Sequence, residues 1–101
     1  MYTVMNRIEV TEGMAEGFEK GFSASMNATL PGVPGLLRST LLRPAKPGQP
    51  YVSVMEFTDE DAFRAWMGSE SFRAAHKGAA ENPTTGASVV ETFDTVTEIA
   101  G

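Results

Sequence analysis

The sequence predicts an α+β fold with the element order β-α-β-β-α-β. This is a split βαβ arrangement, in which one mostly antiparallel sheet of four strands carries its helical segments on one face. Three observations predict it. Residues Tyr2 to Val10 alternate with period two. An apolar stripe at i+4 steps follows, through Met14, Phe18, Phe22 and Met26. Two strand-like runs set between proline- and glycine-rich turns then precede a second helical stretch and a final run rich in Val, Thr and Phe.

In the first strand Tyr2, Val4, Asn6, Ile8 and Val10 share one face, and Thr3, Met5, Arg7 and Glu9 share the other. Asn6 is a poor strand former set between Val4 and Ile8 on the apolar face. A buried amide there needs a partner, either a structural one in a neighbouring loop or a ligand. Thr11 is expected to cap a helix running to about Ala28. Gly13, Gly17 and Gly21 form a second stripe on it. Tolerated weakness explains them more simply than the close approach of a backbone or a flat ligand.

Leu30 to Gly35 reads as a turn, Leu36 to Arg43 as the second strand, Pro44 to Pro50 as a rigid exposed hairpin loop and Tyr51 to Thr58 as the third strand. Two short helical pieces follow. Thr58 with Asp61 is expected to open the first, where Phe63 and Met67 share the apolar face with Trp66 beside them. Gly68-Ser69 interrupts, and Ser69 caps the second piece. Its face holds Phe72, Ala75 and His76, with Gly78 at the C-cap. Ala79 to Ala87 reads as a loop and Val89 to Ile99 as the last strand.

The chain has 101 residues, which fits one domain over 1–101, and 42% of them are hydrophobic. A core this small gains from oligomerisation. Both faces of the third strand carry apolar residues, Tyr51, Met55 and Phe57 on one and Val52 and Val54 on the other. A sheet of that kind needs a second cover, which predicts a homodimer whose sheets meet face to face as a barrel. The net charge of −5 argues against nucleic acid or an anionic membrane as partner. With no cysteine, disulfides, cysteine-based zinc sites and iron–sulfur clusters are excluded. The absence of cysteine, of a signal sequence and of a long apolar run leads to an expectation of cytoplasmic residence.

No phosphate-binding glycine loop, flavin or nicotinamide motif, G-x-S-x-G turn or H-E-x-x-H spacing is present. The acidic run Asp59, Glu60 and Asp61 suits a helix start. Arg64, Arg73 and Lys77 read as solvated charges or as a local site for an anionic ligand. What remains is a pocket between sheet and helices, entered by Asn6, Phe22, Trp66 and His76. The chain's only histidine and only tryptophan thus stand in one stretch. One imidazole with aromatic walls suits haem, and it equally suits a flat organic substrate without metal.

Residue by residue, the chain resembles the IsdG-type haem-degrading monooxygenases of the antibiotic biosynthesis monooxygenase (ABM) superfamily over nearly its whole length. The resemblance rests on Asn6 in N-R-I-E-V, the F-x-A-W run ending at Trp66, and S-x-x-F-x-A-A-H-K, which contains His76. N-P-T-T-G-A-S-V-V-E is similar to the mycobacterial branch, and the W-x9-H spacing to the staphylococcal one. The resemblance implies a ferredoxin-like dimeric α+β barrel with haem as both substrate and cofactor. It implies His76 as the axial ligand of the haem iron and Asn6 as an amide donor to oxygen at the iron. Trp66 would press on and ruffle the porphyrin, and Phe22 would contact it. Arg7, Arg73, Lys77 or solvent would meet the propionates. The implied reaction hydroxylates and opens the ring, releasing iron and a linear tetrapyrrole, with electrons from an external reductase. Two alternatives stand beside it: a cofactor-free ABM oxygenase of an aromatic polyketide-like substrate with His76 as base, and a non-enzymatic haem-binding barrel.

Overall fold

The computed structural model describes the backbone of residues 1–76 and 85–101 and the side chains of residues 1–75 and 88–101. Its elements run β1 (Tyr2–Val10), α1 (Ala15–Thr29), β2 (Leu36–Leu42), β3 (Tyr51–Phe57), α2 (Glu60–Met67), α3 (Glu70–His76) and β4 (Thr85–Asp94). The strands lie in the order β2-β3-β1-β4, and every pairing is antiparallel. The predicted split βαβ architecture is therefore the one observed.

Register decides what each face carries. On the helix side, Tyr2 lies between Phe57 and Asp94, Val4 between Met55 and Thr92, Asn6 between Ser53 and Val90, and Ile8 between Tyr51 and Ser88. The alternation of β1 and β3 follows from this. Tyr2, Val4, Ile8, Tyr51, Met55 and Phe57 are buried, and Phe57 is wholly enclosed. Burying one such aromatic stabilises the fold by about 1.5–3 kcal/mol. The opposite face carries Met5, Val52 and Val54, half-buried, and Leu42, Val89 and Phe93, largely exposed. The ion pairs Arg7–Glu91 (2.7 Å) and Arg38–Glu56 (2.6 Å) share that face.

Several boundaries differ from the sequence reading. Thr11 does not cap α1. Residues 11–14 form a turn closed by Met14 N–H donating to the Thr11 carbonyl at 2.9 Å, with Gly13 at φ +83°. The helix starts three residues later than expected, without a side-chain cap, so Met14 of the predicted stripe is exposed and Phe18 is the residue that goes fully inside. Asp59, not Thr58, caps α2, accepting from Ala62 N–H at 2.8 Å. Trp66 is the buried residue of α2, whereas Met67 is 40% exposed, because the helix turns its Trp66 edge to the sheet. Ser69 caps α3 as expected, accepting from Phe72 N–H at 3.2 Å. Gly78 and residues 79–84 lie outside the described residues. The last strand is shifted towards the N-terminus. It begins at Thr85 and ends at Asp94, where β1 runs out of partners, leaving Val96 and Ile99 exposed on a non-strand segment. No helix among the described residues is long and apolar enough to cross a membrane.

Candidate functional site

Asn6 marks a break in the core. The buried side chains fall into two clusters, and the Asn6–Ser53 row lies between them. One cluster holds Tyr2, Val4, Met55, Phe57 and Trp66, the other Ile8, Phe18 and Tyr51. In this gap Asn6 Oδ1 is buried with no hydrogen-bond partner among the described residues. Such an acceptor ordinarily costs about 1–3 kcal/mol, so it persists where something else, such as a ligand, requires it. On its β4 side Asn6 adjoins Val90, which is 60% exposed although it sits on the helix face. Ser88, Thr92 and Asp94 of the same face are exposed too. The described helices thus cover β1 and β3 and leave the sheet open from Asn6 outward.

Trp66 belongs to the first cluster, on the Phe57 side of it. Its ring packs edge-on against Phe72 at 5.0 Å and tilted against Phe57 at 6.0 Å. Its Nε1–H donates to Ser71 Oγ at 3.1 Å, and the Ser71 hydroxyl donates to the Thr29 carbonyl. Trp66 is therefore a core residue in this state, 7% exposed. It also borders a hollow of about 310 Å³ walled by Thr29, the Pro31–Pro34 turn, Ala65, Ser69 and Ser71. Neither Asn6 nor Phe22 lines that hollow, which is a separate feature from the gap.

Phe22 packs against the second cluster, half-buried, with its ring 5.4 Å from Phe18. Glu19, one turn before it, holds α1 to the sheet. Arg43 grips the carboxylate with Nε and Nη2 at 2.8 and 2.7 Å, and the Tyr51 hydroxyl donates to it as well. Hydrogen bonds from Arg43 and Tyr51 draw the Glu19 pKa from the usual 4.5 down to about 2. The hydrogen bond to Glu19 raises that of Tyr51.

His76 ends α3, and its side chain and all of Lys77 lie outside the described residues. The basic candidates are sorted by the register. Arg7 points away from Asn6, to the far sheet face, and is paired there with Glu91. Arg64 is held by Glu60 at 2.8 Å. Arg73, with a side chain 64% exposed, reaches Glu70 at 3.6 Å and the Gly68 carbonyl at 3.4 Å among the described residues. No group of three or more metal-ligating side chains occurs among the described residues.

Two features escaped the sequence reading. Ser53 has the parity of Tyr51, Met55 and Phe57, and a polar residue at an apolar parity is the same signal that singled out Asn6. The Glu19–Arg43–Tyr51 contact joins positions 24 and 32 residues apart, for which no local pattern exists.

The ferredoxin-like fold is that of an oxygenase family: the chain belongs to the antibiotic biosynthesis monooxygenase family, whose model matches residues 1–78. It is 38% identical over 98 residues to the mycobilin-producing heme oxygenase of Mycobacterium tuberculosis, covering 96% of this chain and 90% of that protein. The structure of the heme-degrader MhuD from M. tuberculosis, with two hemes bound in its active site, superposes with a TM-score of 0.82 at 31% identity, over 99% of this chain and 100% of that one. SnoaB, a cofactor-independent oxygenase from Streptomyces nogalater, superposes with a TM-score of 0.79 at 28% identity, over 99% and 97%.

Proposed function

We propose that this chain is a haem-degrading monooxygenase that opens the porphyrin ring of haem oxidatively, releasing iron and a linear tetrapyrrole. The observation that carries the reading is the buried, unpartnered Asn6 Oδ1 in the gap between the two core clusters, beside the open β4 edge. A flat, largely apolar ligand with a polar reacting centre fits such a place: aromatic clusters on either side and one amide in the middle. The full-length similarity to the mycobilin-producing heme oxygenase supports haem as that ligand and a tetrapyrrole of the mycobilin kind as product.

Bound haem supplies the iron at which oxygen is activated. His76 would hold that iron from the end of α3. Asn6 would offer its side-chain amide to the reacting centre, where a fixed donor stabilises developing charge without reorganisation. Phe22 and Trp66 would bear on the ring from the two clusters, and Trp66, anchored by Ser71, would be a stiff element against which the ring ruffles. Arg73 or Lys77, or solvent, meets the propionates, since Arg7 faces the other side. Residues 1–101 act as one domain in the cytoplasm, with electrons from an external reductase. The unit is a homodimer joined through the apolar sheet face of Met5, Val54, Leu42, Val89 and Phe93.

The experiment is a haemin titration of the purified protein beside His76→Ala, followed by ascorbate in air. A saturable Soret shift in the wild type, lost in the variant, and bleaching to a tetrapyrrole seen by mass spectrometry support the reading. Wild-type degradation rates in Asn6→Ala would remove Asn6 from catalysis. The similarity to SnoaB favours a second reading, a cofactor-free oxygenase of an aromatic substrate. That reading predicts no Soret shift. Haem that binds and survives reductant and oxygen would make the chain a binding protein instead.

A further inference from the structure

Across the whole β1–β3 ladder, the helix-side partner of each β1 residue is large and apolar except once. Phe57 faces Tyr2, Met55 faces Val4 and Tyr51 faces Ile8, while the partner of Asn6 is Ser53. Ser53 is also the one buried polar residue among those described, at 8% exposure. The two departures from the apolar pattern are thus directly opposite each other. Side chains so placed have Cβ atoms about 4.5–5.5 Å apart, and since Asn6 Oδ1 has no direct partner, the two groups are within reach of one shared water.

An asparagine amide has an accepting end and a donating end, and rotating it exchanges them. In this chain the oxygen is the enclosed end. A serine hydroxyl is free to turn and can donate to that oxygen. An apolar residue at position 53 would leave either end equally unsatisfied and so would not select one. We propose that Ser53 is a positioning residue for Asn6: its hydroxyl donates, through one shared water, towards Asn6 Oδ1 and so turns the Asn6 NH2 group outward to the open side of the gap. This rests on the haem reading for what the outward NH2 meets, namely the ligand on the iron. Ser53 itself touches neither ring nor iron. It acts by deciding which end of the amide is presented.

The test uses Ser53→Val, which removes the hydroxyl, and Ser53→Thr, which keeps it at nearly the same shape. Two readouts are taken. In the ligand-free, 15N-labelled protein the Asn6 side-chain NH2 pair is assigned by its loss in Asn6→Ala. In the ferric haemin complex the affinity for azide reports the donor on the iron's open side. Ser53→Val should shift and broaden the NH2 pair and weaken azide about fivefold to tenfold, the worth of one hydrogen bond. Ser53→Thr should restore both, and Ser53→Val should weaken azide no further in an Asn6→Ala background. An unmoved NH2 pair with unchanged azide affinity overturns the proposal. So does an equal azide loss in the Asn6→Ala background, which would mark Ser53 as merely structural. If haemin fails to bind the wild type, the proposed function falls, and the NH2 pair alone then decides for or against Ser53.

Discussion

The indole Nε1–H of Trp66 donates to Ser71 Oγ at 3.1 Å, and Ser71 passes the connection on to the Thr29 carbonyl at the end of α1. One side chain thereby joins α2, α3 and α1 above the sheet. Trp66→Ala should destabilise the chain by about 3–5 kcal/mol, the range for a buried large aromatic. Ser71→Ala should cost about 1 kcal/mol, with the ring still packed. Urea unfolding of both variants checks this. Equal losses would mean that the hydrogen bond, not the burial, dominates.

Asn6 should contribute little to stability in the ligand-free protein. Asn6→Val replaces an unpartnered buried acceptor with a β-branched residue suited to the strand. The variant should be no less stable than the wild type, since it removes an enclosed acceptor that no protein group satisfies, and it should lose haem turnover. A thermal melt and the ascorbate assay on the same sample measure both. An Asn6→Val variant destabilised by more than about 1 kcal/mol would contradict this.

Acid should loosen the hold of α1 on the sheet. Glu19 has its pKa lowered to about 2, first by the Arg43 hydrogen bond and then by that from Tyr51, against an ordinary 4.5. A depressed carboxyl stabilises the folded state above its unfolded pKa, and the contribution is lost as pH falls from about 4.5 through about 2. Glu19→Gln should lower the urea midpoint at pH 7 and show a flatter pH dependence than the wild type between pH 4.5 and 2. Parallel profiles would contradict the assignment.

The glycines divide by their surroundings. At Gly35, φ is +77° and an added Cβ would stand 2.5 Å from Ala62 Cβ. Gly35→Ala should therefore cost about 2–4 kcal/mol through backbone strain and overpacking at the foot of α2. Gly17 lies inside α1 and an added Cβ there meets nothing within 4 Å, so Gly17→Ala should stabilise by up to about 1 kcal/mol. Melting temperatures of the two variants should move in opposite directions.

The far sheet face should hold the dimer. Val54 lies between Met5 and Thr40 near its centre. Val54→Asp should give a species of 10.8 kDa in sedimentation where the wild type gives twice that mass. A monomeric wild type at micromolar concentration would refute the interface.

Much of this protein was legible in its sequence because period and parity are local. The element order, the sheet faces, the Ser69 cap and the anomaly of Asn6 all follow from spacings of a few residues. The parity that put Arg7 opposite Asn6 was legible as well, and the register bears it out. The start of α1 and the bounds of β4 were not. Gly13 in the left-handed region set the first, and the length of β1 as a pairing partner set the second. Three things only the tertiary structure decided: that Ser53 faces Asn6, that Trp66 rather than Met67 turns inward, and that Glu19 meets Arg43 and Tyr51. Each joins segments distant in the chain or depends on how a helix is rotated over the sheet. Partner and rotation are chosen by the packing of the whole core, which no local spacing encodes.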